Sequence, residues 1–186
     1  LFREARMTVW EPAVRRMAVE LLEPVLAKGE ADICRDFSYR LPIHLLAELF
    51  NIPGEQANQV RDIGSAYNIA LQERNDALVQ ATSEQLYGIA KDIIELRKRE
   101  PLSIEDDPTS ALLAARHEGQ PLPDEMILGT IRQMLVVGII APTTAIGSMM
   151  VHLARHPEHQ AYLRAHPERI GDAVEELLRL YTPYRG

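Results

Sequence analysis

Cysteine is almost missing from these 186 residues. Cys34 stands alone, which excludes an internal disulfide and suits a reducing, cytoplasmic setting. Basic charge is also short: 20 Lys and Arg against 27 Asp and Glu give a net charge of −7. A surface of that sign excludes nucleic acid or an anionic membrane as the main partner, since binding phosphates needs a basic face. No phosphate-cradling glycine loop, no G-x-S-x-G and no paired cysteines occur. Period-two alternation is never sustained, and the only internal repeat is a His-Pro-Glu triplet. The first residues, Leu1-Phe2-Arg3-Glu4-Ala5-Arg6, are charged and lack an apolar segment, so no secretory leader is expected there. The chain starts without methionine, as a fragment would.

What is present is ordinary globular material, 46% apolar and 25% charged. A chain of this length suits one domain over residues 1–186 and removes roughly 70% of its unfolded surface from water. The apolar spacing is helical nearly throughout. Val14, Met17, Leu21 and Val25 form a stripe that Pro24 should bend or end, with Lys28-Gly29 as a stop. Ala31 to Cys34 reads as a short extended piece. Leu45, Leu46, Leu49 and Phe50 predict a short helix before Pro53-Gly54. Helices are then expected over 55–71, along the stripe Leu86, Ile89, Ala90, Ile93 and Leu96, and from Thr109 to His117. Pro123-Asp124-Glu125 has the acidic first turn of a long central helix. The triplets at 156–158 and 167–169 put proline where a helix begins and its missing N–H costs nothing. Ile170, Ala173, Val174, Leu177, Leu178 and Tyr181 share one face of the last helix. The fold class is all-α.

The longest uncharged run, Gln133 to Val151, would suit a bilayer in length. Pro142, Thr143, Thr144 and Ser148 interrupt it, and it reads as the buried centre of a long helix. Pro142 has no N–H for the Gly138 carbonyl four residues earlier. That predicts a kink, either opening a groove whose polar group Thr143, Thr144, water or a ligand satisfies, or merely curving the helix. His152, His156 and His159 have the spacing of zinc ligands on a helix, but His156 precedes a proline, and the resulting boundary should spoil the shared face. Surface histidines are the expectation. Cys34 is expected as a small buried hydrophobe. Glu176 and Arg179, three apart and off the apolar stripe, read as a solvated pair.

In order, several stretches resemble the middle of a bacterial-type cytochrome P-450, a haem-thiolate monooxygenase. They are Ala31-Asp32-Ile33-Cys34-Arg35-Asp36-Phe37, Leu41-Pro42 through Asn51-Ile52-Pro53, and Asp107-Pro108-Thr109-Ser110-Ala111-Leu112-Leu113-Ala114-Ala115-Arg116. Arg155-His156-Pro157-Glu158 and Ala173-Val174-Glu175-Glu176-Leu177-Leu178-Arg179 follow. The resemblance covers nearly the whole chain. It implies the central part of that fold, from about its D helix to just past its K helix, with a long kinked central helix and both ends missing. It also puts Glu176 and Arg179 on the family's structural E-x-x-R pair, which is buried in the family and locks to a downstream segment not found here; in this chain the pair is expected to be exposed. The family's cysteine loop, which supplies the thiolate to iron, has no counterpart, and Cys34 is not that ligand. No metal ligand is therefore expected in the chain, which should bind no haem and be inactive alone.

The family's proton-delivery motif on the central helix is replaced. Aligned without gaps, Gly138 takes the glycine, Ile140 stands for the acid, Ala141 for the key threonine and Pro142 for the second. A two-residue shift makes Thr143 and Thr144 the pair. No carboxylate is present either way, which leaves a substrate hydroxyl, ordered water or peroxide use open. Helical spacing puts Gln133, Val137, Gly138 and Ala141 on one face, expected to meet haem and substrate, with Gln133 as the hydrogen-bonding contact. The resemblance maps Tyr184 to the family's pocket-lining segment. It implies a parent that inserts one oxygen atom of dioxygen into a small organic substrate, with haem as cofactor and a ferredoxin or flavoprotein as electron donor. The alternative is a haem-free helical interaction module, or a remnant that forms homo-oligomers through exposed apolar faces.

Overall fold

The helical spacing is realised almost element for element. The computed structural model describes residues 4–183, with side chains from residue 7. Helix takes up 81% of the described residues. The described α-helices are α1 (Glu4–Lys28), α2 (Arg40–Leu49), α3 (Gly54–Gln72), α4 (Asp76–Arg99), α5 (Pro108–Ala114), α6 (Asp124–Arg155), α7 (Pro157–Ala165) and α8 (Ile170–Leu180). A two-stranded antiparallel hairpin, β1 (Arg116–His117) and β2 (Gln120–Pro121), joins α5 to α6.

One local expectation holds and two are corrected. α1 carries Pro24 inside it without ending there and stops at Lys28 as expected, where Gly29 turns left-handed at φ 75°. Ala31 to Cys34 is not extended, because Cys34–Ser38 forms a π-helical turn. Asp32 Oδ1 accepts from the Cys34 and Arg35 N–H groups at 3.1 Å, and the Tyr39 N–H closes the wide turn on the Cys34 carbonyl at 3.0 Å. The helix expected to reach His117 ends at Ala114. Glu118 and Gly119 both take positive φ, 51° and 79°, the backbone of a tight hairpin turn.

The core lies where α2, α3, α4 and α6 meet. Phe50, Val60, Leu86, Ile93, Ile131 and Leu135 are fully buried there. Burial of each large apolar side chain contributes about 1.5–3 kcal/mol. At the edge of this core a charged pair ties three segments together. Arg97 on α4 and Asp107 before α5 are 3% and 2% exposed, and Arg97 Nε donates to Asp107 Oδ1 at 3.2 Å. Arg97 Nη2 also donates to the Phe50 and Asn51 carbonyls at 3.0 and 3.3 Å. Asp107 meanwhile caps α5 by accepting the Ser110 N–H.

α6 is helical without a break through Gly138 and Pro142. The backbone accommodates proline inside the helix, so no segment is unwound there. By length and composition α6 is also long and apolar enough to cross a membrane, with 28% of its apolar window buried. Its inward face packs on α2, α3 and α4 through Ile131, Leu135 and Ile139, and the rest borders open grooves. α8 buries only Leu177, leaving Ile170, Val174 and Leu180 exposed, as is Tyr181 just after it.

Candidate functional site

The residues expected to work together fall into two grooves on different sides of α6. Gln133, Val137 and Gly138 line the first, a volume of about 760 Å³ between α2 and α6, opposite Leu45, Leu46 and Leu49. Its walls are nearly all apolar. Gln133 is exposed, but its Oε1 already accepts from Arg132 Nη1 at 3.3 Å. A Cβ built on Gly138 would meet only Leu46 Cδ1, at an ordinary 3.5 Å. Ala141 does not line this groove.

Thr143 and Thr144 line the second groove, about 340 Å³, with Cys34, Tyr39, Gly147 and Ser148. Thr144 Oγ1 donates back to the Ile140 carbonyl at 3.0 Å, as a helical threonine does. The Thr143 hydroxyl is buried with no hydrogen-bond partner. Pro142 itself is half-buried and lines neither groove. Tyr184 lies outside the described residues.

Cys34 is exposed on its π-helical turn, contrary to the buried hydrophobe expected. Gly147 on α6 faces the Cys34 turn: a Cβ there would make only ordinary contact, 3.7 Å from Cys34 Sγ. Glu176 and Arg179 pair with each other at the surface through two hydrogen bonds of 2.8 and 2.6 Å, with side chains 55% and 67% exposed. Arg179 holds the Glu176 carboxyl below its usual range, and the carboxylate raises the guanidinium in return.

The histidines overturn the sequence argument against them. His156 does end α6, but the chain turns straight into α7 and returns His159 to the same spot. The three rings stack, with centroids 4.4 to 5.1 Å apart. His152 Nε2 lies 2.9 Å from His159 Nδ1, and His152 Nδ1 lies 2.9 Å from the Tyr181 hydroxyl. Partial desolvation and the neighbouring His156 and His159 push the His152 imidazole below its ordinary pKa.

Sequence reasoning also missed Arg132, the last charge before the long apolar run. Its guanidinium sits between Tyr67 of α3 and Tyr87 of α4, 4.7 and 5.5 Å from the ring centroids, and donates to Ser83 Oγ at 3.2 Å. Its Nε is buried without a partner. A lone charge at the edge of a 19-residue uncharged stretch was the available signal.

A helical core crossed by one long helix, with α7 and α8 leaning on its end, defines a class that the comparisons identify. No protein-family model matches the chain. It is 31% identical to the mycinamicin IV hydroxylase/epoxidase of Micromonospora griseorubida, over 96% of this chain and 44% of that protein. It is 30% identical to cytochrome P450 CYP107DY1 of Priestia megaterium, over 92% and 42%. Among solved structures, the polyketide synthase P450 PksS of Bacillus subtilis superposes with a TM-score of 0.86 at 26% identity, over 96% of this chain and 45% of that one. CYP109E1 of Bacillus megaterium, in complex with testosterone, gives 0.78 at 29% identity, over 96% and 48%. By sequence and by fold the chain resembles the central part of cytochrome P450s. It spans less than half the length of the curated relatives it matches.

Haem in these relatives' class needs an axial cysteine in a sheltered pocket. The described residues do not fit that requirement. Cys34 is exposed, and the groove it borders is small and partly lined by hydroxyls.

Proposed function

We propose that this chain is the helical wall of a cytoplasmic P450 monooxygenase acting on a small organic substrate. Residues 1–186 act in it as one helical domain. The supporting observation is the unbroken α6 laid across α2, α3 and α4, in a fold that superposes on PksS at a TM-score of 0.86. In this reading haem, its thiolate and the ferredoxin or flavoprotein that reduces it belong to the whole protein, and the 186 residues alone bind no haem and are inactive.

The open apolar face of α6 is the chain's contribution to a substrate site. Val137 and Gly138 give it shape, and Gln133 offers the one neutral amide on that face to an oxygen-bearing ligand. Tyr184 is assigned to the same pocket through the family resemblance. Ile140 and Ala141, where the ungapped resemblance puts the acid–alcohol pair, and Pro142 after them leave Thr143 and Thr144 as the nearest hydroxyls on the helix. Glu176 and Arg179 serve structure, not chemistry.

Two measurements test this. The complete product of the gene should show a Soret band and, when reduced with carbon monoxide, the difference peak of a thiolate-bound haem. A colourless protein of sharp oligomeric size would instead support the haem-free interaction module. In the haem-loaded protein, Gln133→Leu should weaken substrate binding by about tenfold, the equivalent of one lost hydrogen bond; unchanged affinity removes the role assigned to Gln133.

A further inference from the structure

The geometry points to a divalent-metal site at the α6–α7 junction, with His156 Nδ1, Glu158 Oε1 and His159 Nε2 as ligands and zinc as the ion. These three residues already present ligand atoms within 4.8 Å of one another. Glu158 Oε1 lies 3.0 Å from His156 Nδ1 and 4.0 Å from His159 Nε2. Zinc with bonds of about 2.0–2.1 Å holds its donors about 3.3 Å apart in a tetrahedron. His159 and Glu158 are exposed, so small side-chain rotations close that difference. Two imidazoles and a carboxylate form a borderline donor set that suits zinc over calcium or magnesium.

The surroundings supply what a metal-bound histidine needs behind it. With His159 Nε2 on the ion, its Nδ1 carries the proton and donates to His152 Nε2, 2.9 Å away. His152 then holds its own proton on Nδ1, which faces the Tyr181 oxygen at 2.9 Å. One set of tautomers satisfies the whole chain from ligand to His152 to tyrosine, and such partners fix ring orientation and raise basicity. The proline after His156 makes the site: it ends α6 and starts α7 within one residue, bringing Glu158 and His159 back beside His156. Because Tyr181 directly follows α8, a bound ion would clasp the ends of three helices.

The test is equilibrium dialysis of the full chain against zinc chloride, with cobalt(II) as a spectroscopic replacement. One equivalent of zinc should be retained, and cobalt should give the visible absorption of a four- or five-coordinate site. His156→Ala and His159→Ala should each abolish stoichiometric retention. His152→Ala, which removes no ligand but takes away the backing hydrogen bond and the ring stacked on His156, should weaken it about 10–100-fold. His44→Ala and His117→Ala, both remote and exposed, should bind like the parent chain. Far-UV circular dichroism confirms that each variant folds. No retained zinc in the folded chain overturns the site, as does binding that survives both His156→Ala and His159→Ala.

Discussion

At the scale of single residues, Arg97 and Asp107 explain more of the fold than any residue on the apolar stripes. Their charges are almost wholly removed from water, and the cost is offset by one ion pair, two carbonyl acceptors and a helix cap. Removing one partner strands the other. Arg97→Met should therefore lower the unfolding free energy by about 3–5 kcal/mol, measured by urea denaturation. Asp107→Asn, which keeps the capping oxygen, should cost less. A double-mutant cycle should return a coupling well above the experimental noise, and additive losses would show that the pair does not act as a unit. The exposed pair Glu176 and Arg179 makes the contrast. Its carboxyl is held low by the guanidinium, so any contribution it makes is present above the usual value near 4.5 and fades as pH falls below it. Both groups stay in water, and Glu176→Gln should leave the denaturation midpoint at neutral pH unmoved.

At the scale of elements, α6 holds its helix against its own sequence. Pro142 leaves the Gly138 carbonyl without its usual donor, and glycine is itself a poor helix former. Nothing among the described residues requires glycine at 138, since a methyl there would only touch Leu46. Gly138→Ala should accordingly stabilise the chain by about 1 kcal/mol and Pro142→Ala by up to about 3 kcal/mol. A lower urea midpoint in either variant would mean that the wild-type residue is needed by the fold itself. Stabilisation by both would mean that the fold by itself does not require either residue. These elements were readable in advance because period and breakers agreed: the Leu86 to Leu96 stripe gave α4, and Asp124-Glu125 gave the start of α6. The misreadings have local causes. The π-helical turn at Cys34 depends on Asp32 capping two amides, and the Glu118-Gly119 hairpin on two consecutive left-handed residues, neither of which leaves an apolar period. The spacing does show the three histidines, but the case against a shared face follows one helix, whereas the chain closes the cluster across two.

At the scale of the whole molecule, burial is concentrated to one side. Phe50, Leu86, Ile93, Ile131 and Leu135 anchor α2, α4 and α6 in one cluster, whereas α7 buries nothing and α8 only Leu177. Local stability follows the apolar surface that must be exposed on opening. Native-state hydrogen exchange should find the slowest amides in α4 and the first half of α6, at or near the global unfolding free energy. Amides of α7 and α8 should exchange through a separate opening of much lower free energy. Beyond buried Leu177, the side-chain contacts of these last helices include the His152–Tyr181 and His152–His159 hydrogen bonds, which are exposed and so add little against water. Equal protection in α8 and α4 would show that the two regions unfold together and that the uneven burial has no energetic consequence. If zinc then slows exchange in α7 and α8 without affecting α4, the ion acts as the missing core of that end of the molecule, linking helices that apolar contact alone leaves loosely joined.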